Sequence, residues 1–323
     1  MRLVCLMPVR NEAWCLGLSA RAVLEWVDHL VVLDHASTDP TPAILWELDK
    51  LYPGKLTVLN EDDPQWNEMA HRQRLLEECR NQGATHIVYV DADEVLTGNL
   101  LPRIRGLVEC TQPGLILQLP WLSMRGSIAR YEVSGPWARC DVSVAFADDP
   151  RWHWTARQGY DFHHRHPMGI PFAAYKPLRR HEGGLMHLQF VSDRRLKAKQ
   201  YLYQLTERLR WPDREPVSVI RQRYSMAVYG RPERDANTPG LVQHFGIEHA
   251  RAIQQAAREA NPALTEVIGP DKLGYAPADW WAPYSEFVQY LHPDDEPWQI
   301  EECRRILSEH PGIETGLDNF GIV

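Results

Sequence analysis

The sequence predicts an α/β protein with a mostly parallel central sheet flanked by helices and a helical C-terminal extension. Two observations predict this class. Short apolar runs alternate with amphipathic segments over the first ~100 residues, which is typical of a doubly wound sheet with right-handed crossovers. From Ser192 onward, helical segments alternate with Pro-rich connectors such as GRPERDANTPG and HPDDEPW.

Four apolar runs in the first part predict buried strands, and the amphipathic segments between them predict helices. The third predicted helix is stopped by Gly83, and Pro40 and Pro42 suit the first turn of the second. The predicted strands are residues 2–7, 30–33, 55–61 and 86–94, and the predicted helices are residues 12–26, 42–52 and 66–83.

The rest of the chain divides at about residue 190. We expect a catalytic domain over 1–190, with a ligand-binding half (1–110) and an acceptor half (111–190), and a mainly helical region over 191–323. Predicted strands in the acceptor half are GLILQLPWL, SVAF and GGLMHLQF, and predicted helices in the C-terminal region are residues 193–211, 214–230, 246–260 and 301–310.

Composition excludes several classes of protein. The 323 residues carry a net charge of −8 without a basic tail, which argues against non-specific nucleic-acid binding. No stretch approaches the roughly 20 apolar residues of a membrane span, and the N-terminal apolar run is too short for a signal peptide. Six scattered Cys without a CxxC pair predict reduced thiols, so we expect a cytoplasmic protein with no integral membrane segment.

The segment HIVYVDADEVL (86–96) places Asp91, Asp93 and Glu94 directly after an apolar run. If the strand continues past Val90, Asp91 and Asp93 face one side and Ala92 leaves room between them. Such a pair suits Mg²⁺ or Mn²⁺, and it also suits an acid/base pair of a glycosidase. Acids also begin helices, and we interpret Glu94 in that way or as an outer residue of the site.

Three polar segments, PVRNE, DHASTD and DADE, each begin where a predicted strand ends. Carboxyl ends of parallel strands meet at one edge of the sheet, which is where ligands of such sheets bind. The sequence therefore predicts that these segments form one site.

The ordered set MPVRNEA, VVLDHASTDPT and HRQRLLEECRNQGATHIVYVDADE resembles the nucleotide-sugar-binding domain of family-2 glycosyltransferases, over residues 2 to about 110. The resemblance implies the A-type glycosyltransferase fold, a UDP- or GDP-sugar donor, and a divalent ion on the donor diphosphate. His35 departs from the family pattern, which often has a second acid there, so the nucleotide base stays open. The residues that the resemblance assigns to the donor are Pro8, Arg10, Asn11, Glu12, Asp34, Asp39, Arg74, Asp91, Ala92 and Asp93.

Two arginines and four histidines are candidates for contacts with the diphosphate, the metal ion or the substrates. Arg74 is the candidate for the diphosphate, whereas Arg72 is interpreted as a solvated helix residue. His187 in GGLMHLQF is the candidate third metal ligand beside Asp91 and Asp93 and favours Mn²⁺ slightly over Mg²⁺. The alternative for His187 is a satisfied core histidine. His163, His164 and His166 lack the spacing of a zinc site and are interpreted as a loop that contacts acceptor or donor.

The general base of an inverting transfer is a carboxylate whose position the sequence leaves open. Asp161 is the first candidate, followed by Glu182 and Asp141. If none of them is the base, either a retaining mechanism or a base not recognised in the sequence has to be considered.

The predicted function is that of a metal-dependent, hexosyltransferase-like glycosyltransferase, which moves a sugar to an unidentified hydroxyl acceptor. Asp91 and Asp93 hold the ion. One alternative is a nucleotidyltransferase of related fold, although PVRNEAW lacks its Gly-rich loop. Another is a non-catalytic nucleotide-sugar-binding protein, and a glycoside hydrolase fits the α/β pattern poorly. The C-terminal helices are assigned to acceptor specificity or oligomer contacts.

Overall fold

The structure is a computed structural model that describes residues 1–133, 137–155, 165–229, 273–313 and 316–323. The chain divides into two compact units: residues 1–129, 140–191 and 275–295 form the first, and residues 130–139, 192–274 and 296–323 form the second. The first unit thus reaches residue 191, next to the predicted boundary, and also takes in residues 275–295. Residues 130–139 lie in the second unit.

The strands alternate with helices through the first part of the chain. In chain order the strands are β1 Leu3–Val9, β2 His29–His35, β3 Leu56–Glu61, β4 His86–Tyr89, β5 Glu94–Leu96, β6 Leu115–Ser123, β7 Arg130–Glu132, β8 Asp141–Ala147, β9 Ala173–Tyr175, β10 Leu185–His187 and β11 Leu273–Tyr275. The helices are α1 Ala13–Leu24, α2 Thr41–Leu51, α3 Glu68–Asn81, α4 Leu101–Glu109, α5 Asp193–Arg210, α6 Val217–Tyr229, α7 Ala278–Trp281 and α8 Trp298–Glu309.

The first unit is built on one sheet, in the order β3-β2-β1-β4-β8-β6-β10-β5 with β9 beside β6. Strands β3, β2, β1 and β4 are parallel to one another. β8 is antiparallel to both β4 and β6, and β10 is parallel to β6. Two antiparallel steps restore the direction, so β10 runs the same way as β1 and β4. The predicted α/β class is confirmed, with a parallel first half and a mixed second half.

Helices cover both faces of this sheet, which explains why its strands are continuous apolar runs. Alternate residues of β1 face opposite sides: Leu3, Cys5 and Met7 pack with α1, α2 and α4, whereas Val4 and Leu6 pack with α3. The second core also holds Trp152 and Trp154. This packing fixes the carboxyl ends of β1, β2 and β4 at one edge.

The second unit contains α5, α6 and α8 among its described residues. Helix α5 contacts both α6 and α8, and the hydroxyl of Tyr224 on α6 donates to the buried carboxylate of Glu207 on α5 at 2.5 Å. The helices predicted over 193–211, 214–230 and 301–310 correspond to α5, α6 and α8. The helix predicted over 246–260 lies outside the described residues. No helix in the described ranges has the length and hydropathy needed to cross a bilayer.

The predicted fourth strand is wrong at its end. β4 ends at Tyr89, and Ala92 and Asp93 form a turn in which the amide of Glu94 donates to the carbonyl of Asp91 at 3.0 Å. Glu94 begins β5 and not a helix. Asp91 and Asp93 therefore lie on a turn, and their directions do not follow the two-residue period of a strand.

Candidate active site

The loops after β1 and β2 are tied together by Asn11, which is buried and has a positive φ of 53°. Its side-chain oxygen accepts hydrogen bonds from the amides of Thr38 (2.6 Å) and Asp39 (3.2 Å). Its own amide donates to Ser37 Oγ at 2.8 Å. Asn tolerates the left-handed conformation better than most residues. The two predicted donor segments therefore form one surface.

Two acids of these segments, Asp39 and Glu12, accept hydrogen bonds from within the loops. Asp39 accepts from the amides of Ala13 (3.0 Å) and Thr41 (2.9 Å), at the start of α1 and α2. Glu12 accepts from the indole of Trp14 at 2.6 Å. Both side chains hold the loops in place, and their predicted donor contacts stay predictions.

Asp34 is different, because one oxygen of its carboxylate is buried without a donor among the described residues. It lies at the end of β2, opposite Val9, and is 6% exposed. Its Oδ1 atom is buried and has no hydrogen-bond partner among the described residues. A buried acceptor without a donor is costly, so this atom is suited to a donor group of a ligand.

His35 belongs to a cluster of rings on the other face of β2. Its ring centroid lies 4.4 Å from that of His71 and 5.7 Å from that of Trp66. Burial, with a contribution from neighbouring His35, lowers the pKa of His71 to about 4. Burial also lowers the pKa of His35. The cluster is therefore uncharged near neutral pH.

Arg10 and Pro8 also lie at this edge. Arg10 Nη1 donates to the carbonyl of Pro64 at 2.7 Å, which joins the β1 loop to the segment before α3. Pro8 pairs with Leu33 inside the sheet. Both positions border the carboxyl edge, and their donor contacts stay predictions.

Arg72 and Arg74, two of the three arginines of α3, exchange their expected places. Arg74, the predicted diphosphate residue, has a 44% exposed side chain and contacts Glu61 at 3.2 Å. Arg72 is 4% exposed, so its interpretation as a solvated residue is wrong. Its Nε contacts Glu68 at 2.9 Å and its Nη2 contacts Asp91 at 3.2 Å, while its Nη1 is buried without a partner in the described chain.

Asp91 lies between two guanidinium groups. Oδ1 contacts Arg72 at 3.2 Å, and Oδ2 contacts Arg165 at 2.7 Å. Burial alone would raise the pKa of Asp91, but Arg165 and Arg72 outweigh it and lower the pKa. This carboxylate is therefore ionised at neutral pH.

Glu94 is fully buried and connects the turn to its surroundings. Oε2 accepts from the amide of Asp91 at 3.0 Å and also contacts Arg165, and Oε1 accepts from the indole of Trp121 at 2.8 Å. Burial raises the pKa of Glu94, and Arg165 opposes that effect. Glu94 is thus a structural anchor of the Asp91–Asp93 turn.

Asp93 faces His187, which β10 brings to the same edge. Nε2 of His187 lies 3.3 Å from Oδ2 of Asp93, and the imidazole stacks on Trp121 with centroids 4.4 Å apart. His187 is 5% exposed, and its Nδ1 has no hydrogen-bond partner among the described residues. A satisfied core histidine would pair both nitrogens, so this environment favours the ligand interpretation.

Asp91, Asp93 and His187 fit a divalent ion in chemistry, because two carboxylates and an imidazole are ligands that Mn²⁺ accepts. The geometry is incomplete, since the described residues contain no group of three His, Cys, Asp or Glu side chains arranged around one point. Asp91 is turned toward its arginines, whereas Asp93 and His187 are already adjacent.

Residues 4–120 hold the three polar segments, the Asp91–Glu94 turn and Arg72. They match the model of glycosyl transferase family 2. This part of the chain is a family-2 glycosyltransferase domain. The A-type glycosyltransferase fold expected from the sequence is confirmed with it.

Solved structures similar to this glycosyltransferase share little sequence with it. A mannosyltransferase from Pyrobaculum calidifontis, in complex with GDP-Man and Mn²⁺, is 13% identical over 96% of this chain and 88% of its own, with a TM-score of 0.40. S. aureus TarS 1–349 is 10% identical over 98% and 90%, with a TM-score of 0.39. A UDP complex of the same TarS segment matches 38% of this chain and 36% of its own at 15% identity, with a TM-score of 0.31. No curated protein matches the chain.

Of the three candidates for the general base of the glycosyltransferase, Glu182 and Asp141 lie in the described residues. Asp161, with His163 and His164, lies outside the described residues. Glu182 accepts from the amide of Arg179 at 2.8 Å and so closes its own short helical turn. Asp141 pairs with Lys176 at 2.9 Å. His166 packs on Phe172 with centroids 4.6 Å apart. The assignment of the base stays a prediction.

Two residues of this glycosyltransferase site were not predicted at all. Arg165 lies within the His-rich segment, and Trp121 lies in β6. Both reach the Asp91–Glu94 turn through long-range contacts. The only sequence signal for Arg165 was its place among the His residues of YDFHHRHP.

Proposed function

We propose that this glycosyltransferase moves a sugar from a UDP- or GDP-sugar to a hydroxyl acceptor, with a divalent ion held by Asp91, Asp93 and His187. The observation that carries the proposal is the 3.3 Å approach of His187 Nε2 to Asp93 Oδ2. Topology supports it, because β10 runs parallel to β1 and β4 and so delivers His187 to the carboxyl edge that holds the donor segments. Mn²⁺ is the favoured ion, and Mg²⁺ the alternative.

The chemistry assigned to the ion is electrostatic. When bound, it would neutralise the donor diphosphate and stabilise the leaving nucleoside diphosphate. The chain's own contribution is to hold Asp93 and His187 in the turn and on β10. Both are fixed by backbone pairing, since the amide of Leu188 donates to the carbonyl of Asp93 at 2.8 Å.

Arg72 is the proposed diphosphate contact, in place of Arg74. It is buried beside Asp91, and its Nη1 has no partner among the described residues. A phosphate oxygen would satisfy this group, and guanidinium–phosphate pairs are strong hydrogen bonds. Glu68, one turn earlier on α3, keeps the guanidinium aimed at the site.

Asp34 is the proposed contact to the base or ribose of the donor. Its buried Oδ1 lacks a partner in the described chain, and nucleotide N–H and O–H groups are donors. Arg10, Asn11, Glu12, Asp39 and Pro8 shape the loops around it. Uracil and guanine both carry suitable N–H groups, so the test below includes both nucleotides.

The proposal also assigns roles to the general base, to residues 111–190 and to the C-terminal helices. Asp161 and Glu182 are the proposed bases, residues 111–190 the acceptor half, and the helices after residue 191 the region of acceptor specificity or oligomer contacts. All six Cys lie in the described residues and form no disulfide bond, which suits a reducing compartment such as the cytoplasm.

Nucleotide release is the decisive experiment. The protein is incubated with UDP- and GDP-sugars and Mn²⁺, and nucleoside diphosphate is measured with and without EDTA. We expect Mn²⁺-dependent release by the wild type and none by Asp93→Asn. Arg80→Met is the matched control, because Arg80 is a salt-bridged residue of α3 that pairs with Asp148, away from the turn.

Three outcomes count against the proposal. Release that survives EDTA would contradict the metal requirement. Nucleotide binding without any release would instead favour the non-catalytic binding protein. Release of pyrophosphate from a sugar phosphate and a nucleoside triphosphate would favour the nucleotidyltransferase.

A further inference from the structure

Carboxylates outnumber guanidinium groups around the turn. Asp91, Asp93 and Glu94 supply three carboxylates. Two guanidinium groups lie among them, since Arg72 contacts Asp91, and Arg165 contacts Asp91 and Glu94. Arg72 binds Asp91 from α3 through Oδ1. Arg165 binds Asp91 through Oδ2 and reaches Glu94 as well. Every oxygen of the Asp91 carboxylate therefore already faces a cation.

Arg165 is held by four acceptors. Its Nη1 donates to Asp91 at 2.7 Å, and its Nη2 donates to Glu94 and to the carbonyl of Tyr89 at 3.4 Å. Its Nε donates to the carbonyl of Ser143 at 3.3 Å. The side chain is 15% exposed, so these charges interact in a poorly hydrated environment where pairing is strong.

A divalent ion and Arg165 compete for Asp91, because both oxygens of this carboxylate already accept from guanidinium groups. A carboxylate oxygen that ligates a metal cannot keep a short, direct hydrogen bond to a guanidinium on the same side, and two cations in contact repel each other. Glu94 is fully buried and binds Arg165 independently, so Arg165 can lose Asp91 and remain anchored.

We propose that Arg165 is the resident cation of Asp91, and that a divalent ion replaces it there while Glu94 retains the guanidinium. The Nη1 group released from Asp91 then faces the anionic diphosphate that arrives with the ion. Arg165 thus weakens binding of the ion alone and couples it to binding of the nucleotide. This proposal rests on the metal-dependent function above.

The coupling has a reciprocal consequence. We expect the diphosphate to accept a hydrogen bond from the released Nη1 of Arg165. The nucleotide must then increase the affinity for the ion by the same factor as the ion increases the affinity for the nucleotide. Removing Arg165 removes the competitor of the ion and one partner of the diphosphate. A purely structural arginine would weaken both ligands when it is lost.

The test measures Mn²⁺ binding by calorimetry at pH 7.5, with and without UDP or GDP, in wild type and Arg165→Met. We expect the variant to bind Mn²⁺ alone about tenfold more tightly, within the usual range of couplings between sites, and to lose most of the tightening that nucleotide causes in the wild type. Arg80→Met is the control and should bind Mn²⁺ as the wild type does.

A second variant addresses folding. Arg165→Met leaves the buried Glu94 without its cation, which could destabilise the fold. The double variant Arg165→Met/Glu94→Gln removes both charges. In the absence of nucleotide, it should bind Mn²⁺ more tightly than the single variant Glu94→Gln does. Unchanged or weaker Mn²⁺ binding in both Arg165 variants would overturn the exchange. Equal Mn²⁺ binding by wild type and Asp91→Asn would overturn the metal-dependent function itself, and the exchange with it.

Discussion

Nε2 of His187 lies 3.3 Å from Oδ2 of Asp93, although Asp93 lies in the turn before β5 and His187 on the distant strand β10. Antiparallel pairing of β10 with β5 sets Glu94 opposite His187, and the turn before β5 places Asp93 beside its ring. The contact between Asp93 and His187 is thus fixed by backbone hydrogen bonds.

Replacing His187 tests whether it is a ligand. We expect His187→Asn to weaken Mn²⁺ binding in the presence of UDP or GDP by at least about tenfold, comparable to the loss of groups that support a metal site. Calorimetry gives the affinity, and thermal unfolding gives the stability. A lower melting temperature with unchanged Mn²⁺ affinity would instead identify His187 as a core residue stacked on Trp121.

Arg72 and Arg74 on α3 provide a matched pair of variants that tests the diphosphate contact. We expect Arg72→Lys to weaken nucleoside diphosphate binding with Mn²⁺ by about tenfold, because an ammonium group cannot serve Glu68, Asp91 and a phosphate in the fork geometry of Arg. Arg74→Lys should change it less than about twofold, since exposed ion pairs contribute little. Equal effects of the two changes would contradict the assignment of Arg72.

The first half of the fold was predictable because parallel strands buried on both faces are continuous apolar runs. The meeting of the PVRNE, DHASTD and DADE segments followed from that topology. The arrangement of Asp91 and Glu94 did not, because Glu94 reaches back to the amide of Asp91 and forms a turn that strand periodicity cannot predict. Arg72 was misjudged because its burial depends on long-range contact with Asp91.

Removing the charge of Glu94 should destabilise the fold. Gln keeps an acceptor for Trp121 but turns an NH₂ donor toward the Asp91 amide and Arg165, which are donors themselves. We expect Glu94→Gln to lower the free energy of unfolding by about 3 kcal/mol, the usual cost of breaking a buried ion pair. Urea denaturation measures it. Glu301→Gln, which breaks an exposed pair with Arg304 on α8, is the control and should cost less than about 1 kcal/mol.

The ring cluster predicts a dependence of stability on pH. Burial lowers the pKa of His71 from 6.5 to about 4, so the unfolded chain binds more protons between these values. His71 therefore contributes full stability above pH 6.5, and the contribution is lost as the pH falls toward 4.

Denaturation of wild type and His71→Asn at pH 7 and pH 4.5 measures this effect. The variant should lose less stability than the wild type on acidification. His181→Asn, at an exposed position outside the cluster, is the control and should follow the wild type. Parallel curves for wild type and His71→Asn would show that the ring of His71 is not the titrating group.

Gly184 determines where β10, and with it His187, can lie. A Cβ atom at Gly184 would be 2.1 Å from the carbonyl oxygen of Pro120, so β10 would have to move away from β6. We expect Gly184→Ala to lower the free energy of unfolding by about 3 kcal/mol and to weaken Mn²⁺ binding, since His187 moves with the strand.

Gly106→Ala is the control. Its Cβ meets nothing within 4 Å on α4, so it should stabilise the protein by about 0.5 to 1 kcal/mol and leave Mn²⁺ binding unchanged. Unaltered Mn²⁺ affinity in Gly184→Ala would mean that the position of β10 does not control the ion.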